Sequence, residues 1–462
     1  MQNIYEEIEK LEKELSTYPK GYISRKVING RERFYLQWAE NGKTVSKYIK
    51  NSDYDSVYKL VEERKVIQDR LKELKDSSEG RNYRNSKRKE RFNSDNLTGS
   101  LMMGDREIAV IKKGKIIDYD DKFLPLYLKR TKDIEAWISS RAIDSHRTNS
   151  RLLKKVLRLK SMDDLSAALA VNAATVTDRY WFRPDGSKAR YDDIRFKENY
   201  FDELALRGDP DSFSRRPSRT PELTNIGSFE KCWKLIDGKW WMYKSGNKEE
   251  IFSELFISKL GHKLGLDMAY YELDGDYIRT FDFTEGASVN FEPMMSLTGD
   301  NEDYNDCFDV LYKISPDIAK QYLLLIWMDT VCYNMDRHTE NFGLLRDISN
   351  GKIIKLAPNF DNNIALISRG YPKDISRKKD GLIRYFENFV KSDRFVHDLY
   401  KELSMPVISE SMITECINEI SVDVDKNYIV NFILNGQNRV KEIIDSDSGV
   451  FKVEENGINL IL

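Results

Sequence analysis

From Tyr322 to Tyr333 the chain reads Tyr-Leu-Leu-Leu-Ile-Trp-Met-Asp-Thr-Val-Cys-Tyr, a run so apolar that it can only be buried. It ends in a polar decapeptide, Asn334-Met335-Asp336-Arg337-His338-Thr339-Glu340-Asn341-Phe342-Gly343, whose Asp336 and Asn341 stand five residues apart. Beyond a turn at Asn350-Gly351 comes Ile353-Ile354-Lys355-Leu356-Ala357-Pro358-Asn359-Phe360-Asp361, a short apolar strand that ends on a second aspartate. A fold for this chain must hold one element deep in its interior and release it into a polar loop. It must also bring a short strand near that loop.

Those three polar side chains are the set that phosphoryl transfer from ATP requires. One carboxylate accepts or orients the attacking hydroxyl, while a neutral amide oxygen and a second carboxylate hold magnesium. Protein kinases space the catalytic aspartate and the metal asparagine as Asp336 and Asn341 are spaced here. A buried helix end followed by a solvated loop would leave that ordered spacing unexplained. The motif Asn-x-Asp-Arg-His-x-x-Asn-Phe-Gly at 334–343, with Leu-Ala-Pro-x-Phe-Asp at 356–361, resembles the catalytic core of HipA-like kinases. These are bacterial Ser/Thr kinases distantly related to eukaryotic protein kinases and phosphoinositide kinases. The resemblance implies an α+β, two-lobed protein-kinase-like fold over about residues 100–462, closest over 224–366.

At 462 residues the chain has room for two or three domains and a substantial core. Its charges balance to a formal −2, so any basic surface for nucleic acid must be local. No stretch nears the roughly eighteen apolar residues of a membrane span, and Met1-Gln2-Asn3-Ile4-Tyr5-Glu6-Glu7 is not a signal peptide. Cys232, Cys307, Cys332 and Cys416 are scattered without a Cys-x-x-Cys pair. That argues against structural zinc and a disulfide framework and for a reducing cytoplasm, with no membrane partner.

Residues 3–16 place Ile4, Ile8, Leu11 and Leu15 on one helical face. After Pro19-Lys20-Gly21 the period drops to two. Tyr22–Ile28, Arg33–Trp38 and Thr44–Ile49 read as strands joined through Asn29-Gly30 and Asn41-Gly42, the strongest short hairpin signal. A charged helix follows from Asp55 to about Asp76, so residues 1–76 form a small helix/three-stranded antiparallel module, a helix–β-meander–helix. Its Arg25, Lys26, Arg31, Arg33, Lys43, Lys47 and Lys50 are interleaved with Tyr22, Tyr35, Trp38 and Tyr48. Such a pattern can track a phosphate backbone, and it loosely resembles small three-stranded DNA-arm-binding modules. DNA binding through residues 20–50, protein–protein contact and a merely solvated face all stay open.

Residues 77–100 read as a basic linker around Lys87-Arg88-Lys89-Glu90-Arg91. A new domain, 101–220, follows. Ile108–Ile117 is a strand pair at its start, and helices carry Ile134, Trp137 and Ile138, then Leu152, Leu153, Val156 and Leu157. The small-residue rhythm of Asp164–Thr177 imitates a helix-turn-helix, but it runs into Asp178-Arg179-Tyr180-Trp181-Phe182-Arg183-Pro184, which reads as packing. Residues 209–221 are a second loop.

The small lobe is expected over 221–290 and the large lobe over 291–462. Thr224–Lys231, with its one glycine Gly227, lies where a phosphate-covering loop belongs. Lys244 ends an apolar strand, and Glu254 lies in the helix Glu250–Leu264, with Glu250 as the fallback one turn earlier. A strand Met268–Leu273 and a strand Tyr277–Phe283 leading to an adenine-binding hinge come next. Large-lobe helices are predicted at about Tyr304–Tyr312, Ile318–Tyr333, Gly381–Lys391, Asp393–Leu403, Ser409–Ile420 and Asn427–Asp445.

The resemblance implies a Ser/Thr protein kinase that uses ATP and Mg2+ and acts on a protein substrate and on itself. Asp336 would orient the attacking hydroxyl, and Asn341 and Asp361 would bind metal. Lys244, Glu254, Gly227 and Ser228 would form the ATP site, with Glu254 holding Lys244. His338 and Arg337 are supporting residues: the histidine can hold the loop backbone, and the arginine can pair with a phosphorylated residue or pack the loop. Ser228 is the candidate for autophosphorylation, because HipA-like kinases can be silenced at a loop serine. By family analogy the chain would be the toxin of a toxin–antitoxin or phage-defence system, with an antitoxin protein as partner. Two departures, Asn362-Asn363 after the metal aspartate and the glycine-poor loop, leave room for a pseudokinase. The alternatives are a kinase-fold enzyme acting on a lipid or small molecule or transferring AMP, and a DNA-binding regulator with a pseudokinase core.

Overall fold

The computed structural model describes residues 7, 10–11, 14–15, 17–28, 31–40, 43–76, 97–144, 147, 149–159, 163–215, 218–227 and 229–446. The chain forms two compact units, 1–96 and 97–462, and its class is α+β with antiparallel sheets. No helix among the described residues is long and apolar enough to cross a membrane.

In the first unit β1 (Tyr22–Ile28), β2 (Arg31–Glu40) and β3 (Lys43–Ile49) pair in sequence order as a meander. The hairpin dipeptides at 29–30 and 41–42 lie outside the described residues, as does most of 3–16. The helix Tyr54–Asp76 buries Ile67, Leu71 and Leu74, one stripe at helical spacing, against Leu11, Leu15 and Tyr18. Register places Ser24 beside Tyr35 and Tyr35 beside Tyr48, with Lys26 beside Arg33. Alternation therefore puts Tyr22, Lys26, Arg33, Tyr35 and Tyr48 on one face, and Arg25, Phe34, Lys47 and Ile49 on the other. Phe34 meets Tyr54 at the start of the helix, with ring centroids 4.3 Å apart, so that second face is the covered one.

The second unit opens at Leu97, ahead of the Ile108–Ile117 pair expected to open it. The additional strand β4 (Gly99–Met103) lies between β5 (Arg106–Lys112) and β7 (Tyr180–Pro184), and β6 (Lys115–Tyr119) completes the sheet. The stretch Asp164–Thr177 holds one helix, Asp164–Leu169. Asn172 and Ala173 then take left-handed backbone, φ 58° and 55°, which stops a second helix from following. A core of Met102, Trp181 and Leu204 continues into Trp233, Trp240 and Tyr243, so this region shares its interior with the next sheet.

That sheet runs β10 (Tyr271–Asp274), β11 (Tyr277–Phe281), β9 (Lys239–Lys244), β8 (Lys231–Ile236). The helix Lys248–Lys263 starts from a capping box between Asn247 and Glu250 and buries Phe252, Leu255, Phe256 and Leu260. The strand expected from Met268 begins only at Tyr271. Met268 instead bridges Asn359, and its side chain lies where a Cβ on Gly261 would be, 2.4 Å from Sδ.

A third sheet, β12 (Val289–Pro293), β13 (Gly343–Asp347), β14 (Ile353–Leu356), carries the polar loop between its members. Its first two strands were not foreseen. The apolar run is the helix Pro316–Cys332, begun by the Ser315 cap and Pro316 and closed by Tyr333 in left-handed backbone. Around it pack Tyr304–Ile314, Gly381–Ser392, Arg394–Glu402, Glu410–Asn418 and Lys426–Asp445.

Candidate active site

The loop after the central helix is fixed from behind. Arg337 donates from Nε and Nη2 to the Asp329 carboxylate at 2.8 and 2.9 Å, and from Nη1 to the Asn341 and Phe360 carbonyls at 2.6 and 2.7 Å. Its Nη2 also reaches the side-chain oxygens of Asn359 and Asn362, at 2.8 and 2.7 Å. One buried guanidinium thus ties together the helix, the loop and the segment bearing Asp361. Of the two roles open to Arg337, the geometry is that of loop packing, since a phosphorylated partner would find it buried.

On the other side of the loop lies a cavity of about 380 Å³, lined by Gly227, Lys244, Asp336, His338, Asn341 and Asp361 among others. Asn341 donates from Nδ2 to the Asp336 carbonyl at 2.9 Å, which fixes its amide and leaves Oδ1 as the outward atom. Asp336 is half-buried; burial raises its carboxyl above the ordinary value, with His338 opposing and Asp361 reinforcing the shift. His338 accepts at Nδ1 from the Glu340 N–H at 3.3 Å, a contact within the loop.

Lys244 ends β9 with its ammonium 2.7 Å from Asp361 and 3.5 Å from Glu254. Glu254 is fully buried and accepts the Asn362 N–H at 2.8 Å, so it holds both the lysine and the backbone after Asp361. Burial raises the Glu254 carboxyl, with Lys244 opposing. Burial also acts to raise Asp361, but Lys244 and Lys231 outweigh it and hold that carboxyl below the usual range. Glu250 closes its own cap by accepting the Asn247 N–H at 2.9 Å, which removes the fallback. Asp361 itself has φ 61°, a strained position of the kind found where a side chain must be aimed.

Ser228 lies outside the described residues. Three features of the site were not anticipated: the Tyr271 contact, a cluster of phenylalanines and the Asp329 anchor. Tyr271 accepts the Asp361 N–H on its hydroxyl at 3.2 Å. Phe283, Phe291 and Phe360 form a triangle of rings with centroids 5.5 to 5.6 Å apart in the cavity wall. Lys231, which closes the stretch expected to cover the phosphates, lines the cavity with Lys244. Asp329 anchors Arg337; as the one charge inside the apolar run, it could have been singled out as needing a buried cation.

The donors suit a hard cation. An amide oxygen and an ionised carboxylate are present, while no group of three His, Cys, Asp or Glu among the described residues makes a metal cluster. Magnesium bound through one or two protein oxygens, with phosphates and water completing its shell, fits such a set.

Residues 231–426 match the family described as the HipA-like C-terminal domain, and residues 1–59 match a domain of unknown function, DUF6788. Among solved structures the chain is similar to the Helicobacter pylori proinflammatory kinase CtkA. The identity is 19% and the TM-score 0.37, over 46% of this chain and 91% of that one. It is also similar to HipA of Shewanella oneidensis MR-1, solved with HipB and operator DNA as a toxin–antitoxin system. There the identity is 12% and the TM-score 0.44, over 76% of this chain and all of that one. No curated protein matches the chain.

Proposed function

We propose that the protein, whose residues 231–426 match the HipA-like C-terminal domain family, is a kinase transferring the γ-phosphoryl group of Mg-ATP to serine or threonine hydroxyls of a protein. One observation carries this reading: Lys244, Asp336, Asn341 and Asp361, brought from three separate segments, line one cavity with Glu254 behind Lys244. In it Lys244 grips the α- and β-phosphates, and Glu254 keeps that lysine extended into the cavity. Asp336 orients the acceptor hydroxyl and takes its proton late, a role its raised carboxyl suits. Asn341 and Asp361 are the oxygen donors for magnesium. When bound, magnesium would supply positive charge to neutralise what develops on the phosphates during transfer. The Phe283, Phe291 and Phe360 rings offer a flat apolar wall for the purine. Arg337 keeps the loop in register with the metal segment.

In this reading the acceptors are another protein and the chain itself, with Ser228 as the loop hydroxyl. The chain is then a cytoplasmic toxin of a toxin–antitoxin or phage-defence system, its antitoxin a separate chain and residues 20–50 its contact with DNA. The test is incubation with magnesium and ATP labelled at the γ-phosphate. Label is expected on phosphoserine or phosphothreonine with the wild type, and not with Asp336→Asn or Asp361→Asn. Retention of an α-phosphate label would instead mean AMP transfer, and label only on a lipid or small molecule would change the acceptor class. A wild type that does not bind Mg-ATP would sink the kinase reading. Mass spectrometry finding Ser228 unmodified while other sites fill would remove Ser228.

A further inference from the structure

Six of the sixteen residues from Arg369 to Arg384 are lysine or arginine, against two aspartates, in a chain whose charges otherwise balance to −2. Both aspartates are engaged inside the segment. Asp374 accepts from the Ser376 hydroxyl at 2.6 Å and from the Lys379 N–H at 2.7 Å. Asp380 pairs with the buried Arg377 and caps the helix Gly381–Ser392, accepting the Leu382 N–H at 2.8 Å. Arg369, Lys373, Lys378, Lys379 and Arg384 are exposed, and among the described residues none of them forms a salt bridge.

A run of like charges is ordinarily a loop free in solvent, but this one is held. The Leu366 N–H donates to the Cys332 carbonyl at 3.1 Å and the Met335 N–H to the Ile364 carbonyl at 3.3 Å, so the segment starts alongside the polar loop that carries Asp336. Arg377 then donates to the Thr330 and Val331 carbonyls, in the last turn of the central helix, at 2.7 and 2.9 Å. The helix Lys426–Asp445 takes the other side. Its Tyr428 hydroxyl donates to the Pro372 carbonyl, and the Tyr428 and Tyr371 rings meet edge to face at 4.8 Å. Asn435 donates to the Ile375 carbonyl at 2.8 Å. The segment therefore spends its inward groups on two helices and presents its free cations from a fixed backbone.

These cations run between two recesses. At one end Arg369 acts on the Asp336 carboxyl, opposing the rise that burial causes. At the other, Lys378 and Arg384 line a second cavity of about 360 Å³. The carboxylates there are all paired, Asp380 with Arg377, Glu387 with Lys391 and Glu442 with Arg439. Lys378 and Arg384 thus set its sign, and Arg439 Nε lies buried there with no hydrogen-bond partner. A ligand that delivers one hydroxyl to a half-buried carboxylate and lies along this strip is an extended peptide rather than a nucleic-acid duplex.

We propose that residues 369–384 are the docking strip for the acceptor, and that the strip selects an acidic segment of protein, one whose serine or threonine is flanked by aspartate or glutamate. This rests on the kinase reading for what is done to the hydroxyl; the choice of charge comes from the strip itself.

The test gives the full chain, with Mg-ATP labelled at the γ-phosphate, three peptides that differ only in what flanks one serine: glutamates, glutamines or lysines. Binding of the glutamate peptide is followed in parallel by fluorescence anisotropy. Exposed charge pairs are weak one by one and screened by salt, so the wild type should prefer the glutamate over the glutamine peptide by about 10-fold in kcat/KM, less at high salt. Lys373→Glu/Lys378→Glu/Lys379→Glu should lose that preference and favour the lysine peptide, with the rate on the glutamine peptide and the KM for ATP unchanged. The exposed-lysine control Lys115→Glu should behave as the wild type. If the triple glutamate variant folds poorly, the triple glutamine variant decides, losing the preference without reversing it. Equal use of the three peptides by the wild type, or a preference that survives the triple variant, would overturn the proposal and leave the kinase reading standing. Duplex DNA that binds the wild type but not the triple variant, with no peptide preference, would make the strip a nucleic-acid contact and also overturn it. A wild type that binds the glutamate peptide through the strip but transfers phosphate to nothing would overturn the kinase reading while the choice of charge stands.

Discussion

Arg337 directs its donors inward, and the stability of the loop depends on what it meets there. Replacing it with alanine would leave Asp329, 2% exposed, as a buried carboxylate without its cation. Breaking a buried pair from one side costs about 3–5 kcal/mol, so Arg337→Ala should lose stability on that scale in denaturant titration. The double variant Arg337→Met/Asp329→Leu should lose distinctly less; an equal loss would mean that the pair is not what holds the loop. Asp336 is the contrasting case. It lines the cavity half-buried, so Asp336→Asn should leave stability and Mg-ATP binding nearly unchanged while phosphoryl transfer falls roughly 10²–10⁴-fold. A base works only when deprotonated, so wild-type kcat/KM should rise with pH as Asp336 loses its proton. Because burial raises that carboxyl, the rise should sit above the ordinary aspartate value of about 3.9. The residual rate of Asp336→Asn should lack this limb; if it keeps the limb, another group is titrating.

At the scale of elements, the amino-terminal sheet sorts its cations by face. Lys26 and Arg33 share the uncovered face with Tyr22, Tyr35 and Tyr48, and Lys26 lies 5.1 Å over the Tyr35 ring. Arg25 and Lys47 fall on the helix-packed face, where Arg25 pairs with Glu32. If residues 20–50 meet duplex DNA, the joint variant Lys26→Glu/Arg33→Glu should abolish binding in a salt titration and Lys47→Glu should weaken it little. Each lost phosphate contact lowers the salt slope by about 0.9. Binding that ignores both changes would make the face a protein contact or a solvated surface. This meander was legible because its period is two and Asn-Gly follows each of its first two strands in sequence. The helix Pro316–Cys332 was legible from its continuous apolar run, and the four helices after residue 380 from the sequence that carries them. The strands β12 and β13 were not, and the reason lies in what they bury. In β12 the inward positions are Asn290 and Glu292, and β13 buries Arg346, so polarity runs against the pattern that marks a strand. The site divides in the same way. Asp336, Asn341 and Asp361 follow from spacing along the chain, and Lys244 and Glu254 from their places at a strand end and on a helix, whereas Tyr271 reaches Asp361 through tertiary contact, which a single sequence does not spell out.

Those inverted strands also explain why 97–462 behaves as one unit. Glu292 accepts from Arg346 at 2.7 Å, from the Tyr180 hydroxyl at 3.1 Å and from the Leu126 N–H at 2.6 Å. Arg346 goes on to the Leu124 and Lys122 carbonyls at 2.9 and 2.7 Å. One buried pair therefore joins the segment ahead of the small sheet to the strands that flank the polar loop, and Phe291 N–H adds a bond to the Thr177 carbonyl at 3.0 Å. Glu292→Ala would strand the Arg346 guanidinium and should cost about 3–5 kcal/mol. The first unit has its own small core of Ile67, Leu71 and Leu74. Calorimetry of the full chain should then show two transitions, with Glu292→Ala lowering only the one that survives deletion of residues 1–96. That deletion should keep γ-phosphate labelling and lose any binding to DNA, because every residue placed at the candidate active site lies beyond Leu97. Loss of labelling on deletion, with the larger transition unchanged, would mean that the amino-terminal unit contributes to the reaction itself.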